Sequence, residues 1–209
     1  MPPPPTLKIS EIFPSVQGEG LRQGEPTIFV RFAGCNLRCT FCDTKYARSG
    51  GTDVTFEEIA ARVAAVRRHY PAPWVVLTGG EPYAQKLGAL IRRLRADGLR
   101  IQIETNATIY MPWPADWITV SPKPPRWSYD PRFRRRADEV KLVVTKSLTP
   151  AVVARLRREF PARVPILLQP QSNASWSRVR ARRLLEDALR DGLGNIRVTV
   201  QLHKIYDLP

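Results

Sequence analysis

The chain has 209 residues, 43% hydrophobic and 25% charged, which suits one soluble folding unit with a substantial core. No apolar run approaches the roughly 20 residues of a membrane span, and the opening MPPPPTLKIS lacks the apolar stretch of a secretory leader. Net charge is +14, with Arg outnumbering Lys by 26 to 7, yet no nucleic-acid-binding signature accompanies the excess; most of it reads as solvated helix faces rather than an RNA or DNA surface.

In chain order, TIFVRFAG (27–34) reads as a buried strand running straight into a loop, GCNLRCTFCDTKYA, that holds every cysteine. A helix follows, opened by a capping box of Thr55 and Glu58, with Phe56, Ile59, Ala60, Val63 and Val66 at helical spacing. WVVLTGGEP (74–82) is a strand ending in a glycine turn. The next helix carries Leu87, Leu90, Ile91 and Leu94 on one face and stops at Gly98. LRIQIETNA and DWITVSPKP are two further strands, and 122–136, with four prolines and no periodicity, is a loop. EVKLVV is a strand, and TPAVVARLRREF is a helix with Thr149 as N-cap and Pro150 at its first position. VPILLQPQ, SWSRVRARRLLEDALRDGLG and IRVTVQLHKI complete the chain as strand, helix and strand.

The strands read as continuous apolar runs, and the order β-α-β-α-β-β-β-α-β-α-β predicts an α/β protein with a parallel sheet, one domain over residues 1–209. A full eight-unit barrel takes about 250 residues, so the expected architecture is a truncated, open (β/α) partial TIM barrel. Ligands bind at the carboxyl ends of such strands. The cysteine loop, TGGEP, ETN, SPK and QPQ each end a strand and are predicted to face one mouth.

Cys35, Cys39 and Cys42 are spaced C-x3-C-x2-C, so one is always left over from any disulfide, and a reducing, cytoplasmic setting is expected. Thiolates select zinc, copper(I) or iron–sulfur clusters. Zinc completed by histidine would need His69 or His203, neither at finger-like spacing. Inert buried thiols sit poorly among Asn36, Arg38, Thr40 and Asp43. A cluster with one iron lacking a protein ligand fits best, and a zinc scaffold and structural thiols are its alternatives.

This spacing after a strand, with Phe41 before the last cysteine and TGGEP at 78–82, resembles the radical S-adenosylmethionine (SAM) superfamily. The resemblance implies a [4Fe–4S] cluster whose open iron is chelated by the amino and carboxylate groups of SAM. One-electron reduction would cleave SAM to methionine and a 5′-deoxyadenosyl radical. A narrower resemblance rests on EIFPSVQGEG (11–20), FVRFAGCNLRCTFCDTKYA (29–47), LTGGEP (77–82), ETNAT (104–108), VSPKP (120–124) and the ending QLHKIYDLP. Together and in this order they resemble the 7-carboxy-7-deazaguanine synthase family of the queuosine pathway. That family converts 6-carboxy-5,6,7,8-tetrahydropterin to 7-carboxy-7-deazaguanine by radical ring contraction, a lyase reaction releasing ammonia with SAM regenerated.

Carried onto this chain, the resemblance implies that Cys35, Cys39 and Cys42 hold the cluster and Thr44 ligates Mg2+. It implies SAM contacts from Phe41, Cys42, Asp43, Gly80, Ser121, Pro122, Lys123 and Gln169. It also implies pterin contacts from Val16, Gln17, Gly18, Glu19, Arg31, Thr78, His203 and the carboxylate of Pro209, with a tail of about 201–209 closing the site. Without it, Thr44 reads as a turn cap, QGEG as a glycine turn, Lys123 as a surface residue and the tail as a frayed end. The expected partners are a flavodoxin- or ferredoxin-type electron donor and a second copy of the chain, with no membrane and no nucleic acid. A glycyl-radical activating enzyme and a basic RNA-binding protein are the competing functions. The arginine-rich segments 122–136 and 172–195 match no motif.

Overall fold

The computed structural model describes residues 5–209; residues 1–4, on which the leader reading partly rests, lie outside them. Thr6–Val16 (β1) and Pro26–Phe32 (β2) form an antiparallel hairpin, and Thr52–Thr55 (β3) pairs antiparallel on the other edge of β1. From β2 onward every pairing is parallel, through Trp74–Gly79 (β4), Arg100–Thr105 (β5), Trp117–Val120 (β6), Glu139–Val144 (β7), Ile166–Pro170 (β8) and Ile196–Val198 (β9). The resulting nine-stranded sheet is open, in the order β3-β1-β2-β4-β5-β6-β7-β8-β9. Among the described residues four α-helices, Phe56–His69 (α1), Gly88–Ala96 (α2), Pro150–Glu159 (α3) and Ser175–Arg190 (α4), accompany it. Among the described residues no helix is long and apolar enough to cross a membrane.

The helices form where periodicity and caps predict them. Thr55 accepts from the Glu58 N–H at 3.2 Å and the Glu58 carboxylate accepts from the Thr55 N–H at 2.9 Å, so both halves of the capping box are made. Thr149 caps α3 by accepting from Val152.

Three expectations need correction. β1 and β3 are absent from the predicted order, and both run antiparallel to their neighbours, so the strand predicted as first is the second. The last strand stops at Val198 instead of running to Ile205; the chain then turns away, and the Leu202 N–H bonds Gly18 across the open side of the sheet. The strands, moreover, are not uniformly apolar. Ile101, Ile103, Val140, Leu142 and Val144 are fully buried in the apolar core, whereas Gln102, Glu104, Glu139 and Lys141 alternate with them. The sheet curls, and its concave face encloses polar side chains instead of a second apolar layer.

Because β1 runs against the parallel strands, its end at Val16 lies opposite Pro26, at their amino ends. Residues 17–25 therefore close the bottom of the curl. Arg22 stacks 3.3 Å over the ring of Trp74, the first residue of β4, and the Leu21 N–H bonds Glu139, the first residue of β7, at 2.8 Å. Gly20 passes so close that a β-carbon would lie 2.2 Å from the Glu139 carboxylate, and its φ of +76° is one that side chains disfavour.

Candidate active site

A cavity of about 380 Å³ fills the concave face. Its upper rim is built by Cys35, Cys39, Phe41, Asp43 and Thr44 after β2, Gly80 after β4, Ser121 and Lys123 after β6, and Gln169 on β8. Deeper and to the side lie Val16, Gln17, Gly18, Glu19, Arg31 and Thr78, with His203 and Pro209 from the tail. All the residues singled out from sequence thus meet in one cavity except Cys42 and Pro122, which do not line it. Cys42 stays close, its sulfur 3.6 Å from the Thr44 hydroxyl. All three cysteines are half-buried. Among the described residues no three His, Cys, Asp or Glu side chains converge on a single ion; the thiols are arrayed along the loop.

The base of the cysteine loop is clamped by the glycine turn. The Gly80 N–H donates to Phe32 and the Glu81 N–H to Gly34, at 2.9 and 2.8 Å. A β-carbon on Gly80 would lie 1.8 Å from the Gly34 carbonyl oxygen, so only glycine lets the two loops touch. Gly80→Ala is expected to cost roughly 2–4 kcal/mol and to loosen the cysteine loop, measurable by thermal denaturation; an unchanged melting temperature would contradict the clamp. Glu81, fully buried, accepts from the Tyr83 N–H, the Thr105 hydroxyl and the Asn106 N–H at 3.0, 2.6 and 2.7 Å. Burial pushes its carboxyl up, against these hydrogen bonds. The Asn106 amide reaches Asn36 at 2.9 Å, and Asn36 reaches Thr108 at 2.7 Å, so ETNAT braces the cysteine loop from the other side.

The surroundings of four residues separate a site role from an ordinary one. Thr44 stands in the N-cap position of the turn Lys45–Arg48, but its side chain makes no capping bond, and the residue lines the cavity. Lys123 is not a surface residue: it bonds the Ser121 hydroxyl at 2.5 Å, and burial pushes its ammonium pKa down, helped by Lys141. Arg31 has a structural partner, Glu11, which its Nε meets at 2.6 Å, and Glu11 also accepts from the Tyr46 hydroxyl at 2.8 Å. The tail that ends at Pro209 is folded back, with the Leu208 N–H on His203 and the Ser15 hydroxyl on the Pro209 carbonyl at 3.3 Å.

Sequence reasoning missed part of the lining. Phe13 and Phe29 stack at 5.1 Å to form an aromatic wall. Glu104, Lys141 and Gln201 add charge and amide groups. For Glu104 and Lys141 the signal lies in polar residues at alternate positions of RIQIET and EVKLVV.

Two buried atoms of the cavity lack hydrogen-bond partners among the described residues, Gln169 Nε2 and Gln201 Oε1. Such orphans are rare in a finished fold, and one donor and one acceptor are what a polar ligand would satisfy. Three half-buried thiols, a glycine cradle too tight for a side chain and an open donor at Gln169 suit a thiolate-held cluster with a polar cofactor beside it.

Comparison with known proteins agrees. The radical SAM superfamily matches residues 29–120. A 7-carboxy-7-deazaguanine synthase of Bacteroides thetaiotaomicron is 51% identical over 116 residues, 56% of this chain and 60% of that protein. The synthase of Rhodospirillum rubrum is 36% identical over 97% of this chain and 93% of its own. The crystal structure of QueE from Escherichia coli superposes with a TM-score of 0.78 at 29% identity, covering 95% of both chains. With a relative matched over 97% of this chain and the superfamily's core over the cysteine and glycine motifs, the chain belongs to the 7-carboxy-7-deazaguanine synthase family of radical SAM enzymes.

Proposed function

We propose that this chain converts 6-carboxy-5,6,7,8-tetrahydropterin to 7-carboxy-7-deazaguanine, a lyase-type ring contraction releasing ammonia. The observation that carries the reading is the two-sided cavity: a cysteine loop and glycine cradle at one end, and a carboxylate-bearing floor at the other. In this reading Cys35, Cys39 and Cys42 hold a [4Fe–4S] cluster. When bound, that cluster supplies the electron that splits SAM and so starts radical chemistry. Gly80, Ser121, Lys123 and Gln169 orient SAM, with Phe41 and Asp43 beside it.

The chain's own task is to seat the pterin and exclude water. Arg31, oriented by Glu11 through its Nε, presents the rest of its guanidinium to the substrate carboxylate, a pairing suited to bidentate contact. The Thr44 hydroxyl, not spent on a cap, is a hard oxygen donor for Mg2+ at that same carboxylate. Gln17, Glu19, His203 and the tail meet the opposite, amino-bearing edge, and Phe13 and Phe29 offer a flat wall for a bicyclic ring. A small electron-transfer protein of the flavodoxin or ferredoxin type is the proposed reductant, and a homodimer the proposed assembly.

The test is anaerobic. Protein reconstituted with iron and sulfide, reduced, and given carboxytetrahydropterin, SAM and Mg2+ should form an ultraviolet-absorbing deazapurine. No such product, with the cluster intact by its brown colour and paramagnetic signal, would overturn the assignment.

A further inference from the structure

Lys141 lies on β7 between the fully buried Val140 and Leu142 and is 5% exposed. A lone ammonium there would be costly, so its partners matter. It contacts Glu19 Oε2, from the floor loop, and Glu104 Oε2, from β5, the latter at 3.3 Å. The second oxygen of each carboxylate is also held. Glu19 Oε1 accepts from the Gln201 amide at 2.6 Å, and Glu104 Oε1 accepts from the Gln17 amide at 3.0 Å. Gln17 closes the ring by accepting from the Glu19 N–H at 3.1 Å. Three elements distant in sequence therefore meet at one ammonium, and Glu19, Glu104 and Lys141 all line the cavity.

We propose that Lys141 is a positioning residue, whose ammonium holds Glu19 and Glu104 side by side as acceptors for the N–H edge of the heterocyclic substrate. One cation between two carboxylates leaves a net negative charge toward the cavity, which suits an amidine- or guanidine-like edge. This rests on the pterin reading above and adds a residue to it.

The charge state follows from the surroundings. Burial would raise the Glu19 carboxyl, but the Lys141 charge and hydrogen bond, with help from Gln201, outweigh it and hold the pKa at about 2. For Lys141, burial works downward and is overcome by Glu104 and Glu19, so the ammonium stays charged to well above its usual range. The other titratable groups facing the ring are Glu139 one pleat below on β7, Lys123 beyond β6, His203 on the tail and Asp43 from the cysteine loop. Burial moves Lys123 and His203 down and Glu139 up, each toward its neutral form. Lys141 is thus what keeps the Glu19 carboxylate ionised. Without it, burial would lift the Glu19 pKa, and the acceptor function of that carboxylate would be lost as pH falls through the new value.

The experiment compares pterin binding to the reconstituted protein and to Lys141→Met and Lys141→Arg, by equilibrium dialysis without reductant, across pH 6 to 8.5. Wild-type affinity should be flat over that range. Lys141→Met should bind about tenfold more weakly near pH 8 and lose more affinity toward pH 6, with cluster absorbance per chain unchanged. Lys141→Arg should restore the flat profile. Wild-type-like affinity and a flat profile in Lys141→Met would overturn the role of Lys141 while leaving the pterin reading intact. No pterin binding by wild type would overturn that reading itself. Should Lys141→Met fail to fold, Lys141→Arg decides alone: a flat profile supports the role, and a steep loss toward pH 6 refutes it.

Discussion

Replacing Cys35, Cys39 or Cys42 singly with alanine is expected to abolish deazapurine formation, a loss of at least about 10⁴-fold. The effect should be all-or-none because each thiol would hold a different corner of one cluster, and the electron delivered there is not available from any protein side chain. Stability, by contrast, should change by less than about 1 kcal/mol, since all three thiols are only half-buried and none belongs to the apolar core. Iron and sulfide per chain, cofactor absorbance and product formation are the measurements. A single alanine variant that keeps a full cluster and more than one per cent of turnover would break the assignment of that cysteine. Zinc retained in place of iron would point to the scaffold reading instead.

Glu81→Ala should give the largest loss of stability of any single change at the rim, about 3–5 kcal/mol. The side chain is 0% exposed and its two oxygens accept three donors from two loops. Truncation leaves two backbone N–H groups and a hydroxyl without their acceptor in a fully buried place. At this chain length that corresponds to a fall in melting temperature of roughly 10 °C. Glu81→Gln should recover only part of it, because an amide nitrogen cannot accept. A loss below about 1 kcal/mol for Glu81→Ala would mean that the loops are held by other contacts. The same variant should bind SAM more weakly, since the Glu81 carboxylate ties the glycine turn to Thr105 and Asn106, which brace the cysteine loop.

Both predictions concern features legible in the sequence to different degrees. The helices, their caps and most of the parallel strands can be read from periodicity, because an apolar stripe at helical spacing rarely arises except in a helix packed on a core. The meeting of the cysteine loop, TGGEP and SPK at one mouth follows from strand order. β1 escapes because TLKISEIFPSV mixes polar residues and a proline into its alternation, which resembles an irregular leader more than a strand. β3 is four residues long and gains its identity only by pairing with β1. The floor of the site is hidden for a related reason: nothing local in QGEG tells that an antiparallel first strand will deliver it to the amino ends of the barrel. Lys141 and Glu104 are visible as charges at alternate positions, but the expectation of strands buried in apolar surroundings on both faces masks them. Glu81 is obscured in the same way, since TGGEP reads as a turn and turns are ordinarily exposed.

The ring around Lys141 has a consequence for how the molecule is made. Its bonds span 122 residues between Glu19 and Lys141 and 182 between Glu19 and Gln201, and the tail bond from Ser15 to Pro209 spans 194. Contacts of such separation must meet the entropy of closing nearly the whole chain before they contribute anything. Chains dominated by them fold slowly, on roughly millisecond-to-second scales or longer. The β1–β2 hairpin and the α1–β4 region can form from neighbouring segments, but the chamber cannot. Its polar floor, its charged wall and its closing tail come together only when the two ends of the polypeptide have met. Catalytic competence should therefore appear last in refolding, after most helical signal has returned.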